Sequence, residues 1–466
     1  MRVVLMENIL RKVMESKESN KKLAFLFGAG AEIDYGMPSG IEFARNILFP
    51  SNDVIKRAEE NAKKFGINFL KFTTTDIQGV IKSELDMHKG KIKSFFTELD
   101  LKYSEKLEVP KREYESSESD FPYVLSYFAN KYSGDNEKDK KNYSLVKFLI
   151  SMYVILKGDD YVHNFSSDVV QKNKLESFLG ATDLLVLDYK KLLLLSSELV
   201  NNIFDSPSAE SGDAGVLKEV AKELFEKSLN YQEFLSKFYE NLFVPKEKRR
   251  TDSKFRKIAS FLFVVQAYVM SKEESKEMPE GPSYYDILEF KKDFYEIHIA
   301  TTNYTHFLEN IGLGETAYLN GKLDKYINLD TFDILSEEKA LECKNCVPFI
   351  FPQSAVKPLV SIDVMLDYAN IYNTFSACDM IAVIGFAFNP DDALLISMFR
   401  KLIKDGRKIL YFIYISNKAD SAKMIKDEAE RLENIFSDKK VMSKIKIKPL
   451  YSDTDWFGIV ENSMES

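Results

Sequence analysis

The chain has 466 residues, of which 45% are hydrophobic and 29% are charged, and its formal net charge is −8. This length predicts two or three domains, and the acidic balance excludes the basic surface of a protein that coats nucleic acid. Three cysteines in a chain of this length predict a reducing compartment without structural disulfides.

The first residues, 1–12, mix apolar and charged side chains. This pattern predicts a short amphipathic helix and not the apolar core of a signal peptide. Apolar runs farther along the chain, such as residues 192–195, are too short to span a bilayer. We therefore expect a cytoplasmic protein with no membrane partner and no direct nucleic-acid partner.

The first predicted strand covers residues 21–27 and is followed by Gly28-Ala29-Gly30. Glycines at such a turn let the backbone approach a pyrophosphate, and the next helix then directs its N-terminus at the phosphates. Ile33 stands where the usual fingerprint has a third glycine, so an ordinary strand–turn–helix fits this segment equally well. The helix is predicted to begin near Ser39, with Glu42 completing a capping box.

The sequence between about residues 50 and 285 is low in glycine and rich in Lys, Glu, Leu, Phe and Tyr. Apolar residues recur at helical spacing over residues 143–156, 183–204, 215–229 and 253–270. We predict a mostly helical inserted domain at residues 49–288, between the two parts of another domain at residues 1–48 and 289–466.

Strands and helices alternate after the insertion. Strands are predicted over residues 297–302, 316–320, 380–386, 409–415 and 445–450, and helices near 305–311, 390–404 and 419–436. Alternation of this kind predicts an α/β fold with a doubly wound, Rossmann-like parallel sheet. Ligands of such sheets bind at the carboxyl ends of the strands, where Thr302 and Asn303 are expected.

Two shorter features have open interpretations. Cys343 and Cys346 form half of a possible zinc site, and a structural zinc ion needs four ligands, so we expect a turn or a remnant and no metal. Asn389, before Pro390, either caps the next helix or belongs to a loop that contacts a ligand.

Five motifs occur in a fixed order along the chain. They are Gly28-Ala29-Gly30, Gly36-Met37-Pro38-Ser39-Gly40, Thr301-Thr302-Asn303-Tyr304, Tyr318-Leu319-Asn320-Gly321 and Val383-Ile384-Gly385-Phe386-Ala387-Phe388. This series resembles the sirtuin-like domain, and it is most similar to the branch found in bacterial antiphage defence proteins that destroy NAD+. The resemblance covers residues 20–45 and about 290–460.

The sequence departs from the family's pattern at two positions. Asn320 stands where the family has its catalytic histidine, and Thr305 stands where an aspartate often follows the asparagine. An amide cannot take up a proton at neutral pH, so deacylation of acyl-lysine is not expected. Hydrolysis of NAD+ demands less, because nicotinamide is already a cationic leaving group and the transition state is oxocarbenium-like.

The resemblance implies a set of site residues. Asn303 would orient a water or bind the ribose, and Asn320 would hold a ribose hydroxyl. His306 is either a displaced base or a structural histidine. The residues expected to bind NAD+ are Gly28, Ala29, Gly30, Ala31, Glu32, Pro38, Thr302, Asn303, Gly385, Phe386 and Ser416.

The resemblance also implies a function. The chain would hydrolyse NAD+, as its substrate, to nicotinamide and ADP-ribose and so deplete NAD+ in abortive infection. A partner such as a HerA-type ATPase or an Argonaute-like protein, or homo-oligomerisation, would activate it. The alternatives are a catalytically weak sensor or scaffold that binds NAD+ or ADP-ribose, and an ADP-ribosyltransferase or deacylase acting on protein.

Overall fold

The computed structural model describes residues 21–73, 76, 89–107, 122–132, 137–165, 197–204, 212–228, 242, 244–249, 251–276, 283–309, 312, 316–351, 361–389, 392–415, 418–437, 439–451 and 454–465. The helix predicted near the N-terminus and Ser416 lie outside these residues. The described elements form two compact units. One takes its residues from Met1–Lys71 and Gln232–Ser466, and the other from Phe72–Tyr231.

In the sequence, the elements of the first unit lie on both sides of those of the second unit. In chain order, the elements are β1 (Lys22–Phe27), α1 (Gly40–Leu48), α2 (Asn52–Lys64), α3 (Lys89–Tyr103), α4 (Tyr123–Lys131), α5 (Glu137–Phe165), α6 (Ser197–Phe204), α7 (Asp213–Ser228), α8 (Lys246–Arg249), α9 (Ser253–Glu274), α10 (Tyr284–Lys291), β2 (Glu296–Thr301), β3 (Ala317–Tyr318), β4 (Gly321–Asn328), β5 (Ile334–Ser336), α11 (Glu337–Cys343), β6 (Cys346–Ile350), α12 (Ile362–Ser376), β7 (Met380–Ile384), α13 (Ala393–Lys404), β8 (Ile409–Tyr414), α14 (Ser421–Phe436), α15 (Lys439–Met442), β9 (Ile445–Leu450) and α16 (Trp456–Glu465).

The main sheet has six parallel strands in the order β3-β2-β1-β7-β8-β9. The chain builds one side of the sheet from β1 through β2 to β3, and then builds the other side from β7 to β9. The order reverses between β1 and β7, and this switch point is where sheets of this kind bind ligands. The predicted fold class, a doubly wound α/β sheet, is confirmed, and all six predicted strands form within two residues of their expected ends.

Strand β1 lies at the centre of the sheet, and its sequence shows why. Residues 23–27 are all fully buried, with Phe25 and Phe27 on one face and Ala24 and Leu26 on the other. A strand covered on both faces has a continuous apolar run in place of an alternating one. Phe25 packs edge-on against Trp456 of α16, and Phe27 packs edge-on against Tyr285 of α10.

A second sheet was not predicted. Strands β5, β4 and β6 pair antiparallel in that order. In the sequence they lie between β3 and β7 of the main sheet. The Cys-x-x-Cys pair lies here, with Cys343 exposed at the end of α11 and Cys346 buried at the start of β6, and both thiols are free. Within the described ranges, no group of three or more His, Cys, Asp and Glu residues is arranged to hold a metal ion.

The second unit consists of helices wherever the structure describes an element of it, from α3 to α7. The helix predicted at residues 143–156 lies inside α5, and the one predicted at 215–229 corresponds to α7. The Asp100 carboxylate accepts hydrogen bonds of 2.9 Å from the backbone N–H groups of Tyr123 and Val124 and so satisfies the free N-terminus of α4. No described helix of either unit has the length and apolarity needed to cross a bilayer.

Two predictions about helices, one about a cap and one about a whole helix, differ from the structure. Ser39 precedes α1 as expected, but its side chain makes no capping hydrogen bond, so the predicted capping box is absent. A capping box forms instead at α10, where Asp286 N–H donates to Ser283 Oγ at 3.1 Å and Ser283 N–H donates to Asp286 Oδ2 at 2.9 Å. The helix predicted near residues 305–311 does not form over residues 305–308, which are bends and turns held by polar contacts described below, and residues 310 and 311 lie outside the described part of the chain.

We expect Ser283→Ala to lower the free energy of unfolding by about 1–2 kcal/mol, because it removes the N-cap acceptor of α10. The same Oγ also accepts a hydrogen bond from Tyr35. Ser39→Ala is the matched control, since that serine caps without a side-chain bond, and it should change the free energy by less than about 0.5 kcal/mol. Urea unfolding of both variants measures the difference, and equal effects would contradict the assignment.

Candidate functional site

The glycine loop after β1 packs directly on the loop after β7. Gly28 N–H donates to Ile384 O and Gly30 N–H donates to Gly385 O, each at 2.9 Å. A Cβ at Gly28 would lie 2.5 Å from Gly385 O, and one at Gly385 would lie 2.2 Å from Ala31 N. The glycines are therefore required by the contact between the two loops, whatever else approaches them.

The segment after this loop differs from the prediction. Residues Ala29–Tyr35 form a 3-10 helix, and Gly36 ends it with a φ of 79°. Ala29 and Gly30 are exposed at the edge of the sheet, whereas Ala31 is buried. Pro38 is buried between this helix and α1.

Asn303 joins the two halves of the site. It follows β2, is 6% exposed, and its Nδ2 donates to Gly28 O at 3.1 Å. Its own N–H donates to Thr301 Oγ1 at 3.0 Å, and the preceding Thr302 N–H donates to Phe27 O at 2.9 Å. The two sequence segments that were predicted to meet at the carboxyl edge of the sheet are thus in direct contact there.

Asn320 lies beside this contact. It follows β3, is 1% exposed, and its Nδ2 donates to Thr302 O at 3.1 Å. Gly321, which follows it, has a φ of 92°, and a Cβ there would overlap Phe349 O. Asn320 is therefore held at the same edge of the sheet as Asn303, through the backbone of the residue before Asn303.

Glu32 is a buried carboxyl in the same cluster, and it is 2% exposed. Its Oε1 accepts hydrogen bonds from Tyr285 Oη at 2.9 Å and from Thr305 Oγ1 at 2.8 Å. Burial raises the pKa of Glu32 to about 7, although the hydrogen bonds from Thr305, Tyr285 and Asn303 lower it. Tyr285 was not predicted as a site residue, because it lies 253 residues from Glu32 in the sequence and only the packing of α10 brings it there. Thr305 could have been predicted as a site residue, since the sequence resemblance leads us to expect an aspartate at its position.

His306 is enclosed by carboxylates. Its ring Nδ1 lies 3.1 Å from Glu273 Oε2, and its ring Nε2 lies 3.8 Å from Asp324 Oδ1. Its backbone N–H donates to Glu273 Oε1 at 2.6 Å. Asp324 and Glu273 raise the pKa of His306 to about 9. A histidine protonated at neutral pH donates hydrogen bonds and does not accept a proton, so this arrangement favours the structural alternative for His306 over the displaced base.

The position of His306 predicts a pH-dependent contribution to stability. Because its pKa is higher in the folded chain than the ordinary value of 6.5, the stabilisation is complete below about pH 6.5 and is lost as the pH rises through about 9. We expect His306→Gln to cost about 1–2 kcal/mol at pH 6 after allowance for solvent screening, and clearly less at pH 9.5. Urea unfolding at both values tests this, and a cost that does not change with pH would contradict it.

The second loop is held mainly by its own packing. Phe386 is 3% exposed and its ring lies 5.0 Å from that of Phe388, which has a φ of 47°. Arg431 of α14 donates to Ala387 O at 2.5 Å and fixes the loop from outside. Asn389 does not cap α13, because Asp392 stands at that position, and Asn389 O instead accepts a bond of 2.8 Å from Asp392 N–H.

No family model and no curated relative matches the sequence. Among solved structures, a chain from a study of the mechanism and regulation of Sir2 enzymes is similar, with 17% identity, coverage of 41% of this chain and 81% of that one, and a TM-score of 0.25.

Two further Sir2 structures are similar to this chain. One, bound to a propionylated peptide, has 12% identity, coverage of 49% and 84%, and a TM-score of 0.26. The other, bound to a myristoylated histone peptide, has 15% identity, coverage of 43% and 87%, and a TM-score of 0.23. At such TM-scores these likenesses assign no family and no activity, and the fold class stands on the observed order of the sheet.

Proposed function

We propose that this chain binds NAD+ at the carboxyl edge of its main sheet and hydrolyses the bond between nicotinamide and ribose. The hydrogen bond from Asn303 to Gly28 O carries the proposal, because it unites the glycine loop and the polar end of β2 at the switch point. The pyrophosphate would approach the exposed backbone at Ala29 and Gly30. Sheets of this topology bind dinucleotides at this position.

The proposed reaction adds water to the anomeric carbon of the ribose while the bond to nicotinamide breaks. Nicotinamide leaves as a neutral molecule with the bonding electrons, and the water loses one proton, so the products are nicotinamide, ADP-ribose and H+. Because the Nδ2 atom of Asn303 donates to Gly28 O, its amide oxygen is the group proposed to accept a hydrogen bond from water or a ribose hydroxyl, and Asn320 lies beside it through its bond to Thr302 O. Fixed acceptors of this kind lower the barrier by orientation.

In the cell, this activity would deplete NAD+ during phage infection and stop the host before the phage multiplies. A hydrolase of an essential cofactor has to be silent until it is needed. We therefore propose activation by a defence partner, such as a HerA-type ATPase, or by homo-oligomerisation. Bacteria that carry the chain and its candidate partner should lose NAD+ after phage challenge, and unchanged NAD+ with full protection would contradict this role.

The direct test is chromatography of NAD+ incubated with the purified full chain at high concentration, alone and with the candidate partner. Equal amounts of nicotinamide and ADP-ribose are expected. Nicotinamide release without ADP-ribose, in the presence of an acceptor protein, would instead indicate ADP-ribosyl transfer. Unchanged NAD+ in every assembly state would overturn the proposed activity.

A second candidate function has one observation in its favour. Each of the two asparagine amides donates to a backbone carbonyl, and neither side chain can act as a base. A binding subunit that senses NAD+ or ADP-ribose and scaffolds a defence complex would need no more than this. Calorimetric binding of NAD+ or ADP-ribose without turnover would favour this function.

A further inference from the structure

Glu32 is buried where a carboxylate is costly. Among the five largest influences on its pKa, the one charged group is Glu273, which is itself an acid and raises the pKa further. Taking an ionised carboxylate out of water is strongly unfavourable, so a neutral side chain would serve a purely structural role at this position as well. Such a costly group at a ligand-binding edge points to a functional demand.

The groups that hold Glu32 lie close to Asn303. Tyr285 and Thr305 both donate to Oε1, so these two hydroxyl groups fix the carboxylate in one orientation. The rings of Phe27 and Tyr35 pack on Tyr285 with centroid distances of 5.1 and 5.7 Å and keep it in place. The Asn303 amide N–H group donates to Gly28 O at 3.1 Å, and the Asn303 side chain lies close enough to Glu32 and Tyr285 to lower the pKa of each.

We propose that Glu32 is the positioning residue of the hydrolytic site, and that its ionised carboxylate holds the Asn303 amide with its oxygen available to water and ribose. This inference rests on the proposed NAD+ hydrolysis. An acceptor at Glu32 fixes the amide N–H group, whereas a protonated Glu32 offers a competing donor and lets the amide turn. Thr305, two residues after Asn303, donates to this carboxylate at 2.8 Å and so helps to hold it beside the Asn303 segment.

Hydrolysis should therefore fall as Glu32 takes up a proton. The titratable groups that face Glu32 are Tyr285 of α10, Tyr35 of its own 3-10 helix, Tyr318 of β3 and Glu273 of α9. The tyrosines stay neutral in this range because burial raises their pKa values, and the pKa of Glu273 is lowered, so neither changes charge near pH 7. The wild-type kcat is expected to decline about tenfold per pH unit below about pH 7.

The test is the pH profile of kcat for NAD+ hydrolysis by the wild type, Glu32→Gln and Thr305→Val, between pH 5.5 and 9. Glu32→Gln should lower kcat by about 10- to 100-fold at pH 8 and remove the acid limb, with KM changed less than about threefold. Thr305→Val keeps Glu32 but removes a donor to its ionised form, so the acid limb should move up by about one pH unit. Asp34→Asn is the matched control, since this acid is exposed on the same 3-10 helix.

Stability separates positioning from simple packing. Because burial raises the pKa of Glu32, its contribution to folding is lost as the pH rises through about 7, and Glu32→Gln should melt at the same or a higher temperature than wild type at pH 8. An active wild type whose acid limb is unchanged in Thr305→Val and Glu32→Gln would overturn this inference alone. An inactive wild type would overturn the proposed function and this inference with it.

Discussion

Asn303→Ala is expected to reduce kcat/KM for NAD+ hydrolysis by about 100- to 1000-fold, the effect of removing one preorganised polar group from an enzyme site. The loss should be in kcat, because the glycine loop that would contact the pyrophosphate keeps its bonds to Ile384 and Gly385. Initial rates of nicotinamide release at several NAD+ concentrations measure both constants. Binding of NAD+ by calorimetry should remain within about fivefold of wild type.

Asn328→Ala is the matched control for this variant. Asn328 is also a buried asparagine, 8% exposed, and its Oδ1 accepts from Asp330 N–H at 2.8 Å in the turn after β4. Its loss should lower stability by about 1–2 kcal/mol without changing the rate per folded molecule. If Asn303→Ala hydrolysed NAD+ at the wild-type rate, Asn303 would have only a structural role and another group would have to position the water.

Gly385→Ala is expected to lower the free energy of unfolding by about 3 kcal/mol or more and to abolish NAD+ binding. Gly385 has a φ of 68°, which alanine adopts only with strain, and the added methyl group would lie 2.2 Å from Ala31 N and 2.6 Å from Gly30 C. The two loops would have to separate, and their 2.9 Å bond between Gly30 N–H and Gly385 O would break. Urea unfolding and calorimetry measure the two effects.

Gly40→Ala provides the comparison for Gly385→Ala. Gly40 begins α1, and a Cβ there would meet no atom within 4 Å. Alanine at this position should leave stability unchanged or raise it by up to about 1 kcal/mol, because it restricts the unfolded chain. Similar losses in the two variants would show that the contact between the loops is not what selects glycine at residue 385.

The main sheet could be predicted because its strands carry their signal locally. The apolar runs of β1 and β7 are buried over nearly their whole length and those of β2 and β8 over most of it, and turn or loop residues bound them, so length and composition were enough. The contact between Asn303 and the glycine loop was also predictable, since carboxyl ends of parallel strands meet at one edge.

The remaining features depend on contacts between distant residues. Nothing near Glu32 in the sequence indicates that Tyr285, 253 residues away, donates to it. The segment at residues 305–308 has helix-compatible residues, but Thr305 and His306 are held by Glu32 and Glu273, and these tertiary bonds replace helical ones. The short strands of the β5-β4-β6 sheet are likewise defined by their pairing more than by their composition.

The central place of β1 has a consequence for synthesis. Its two neighbours in the sheet are β2 and β7, so Leu23 pairs with Ile297 on one side and Met380 on the other. Contacts between residues so far apart close slowly, because the intervening chain must first lose its freedom. A nascent chain on the ribosome therefore has no complete sheet edge until β7 and the loop at Gly385 have emerged. Any activity at that edge is withheld from the growing chain for most of its translation.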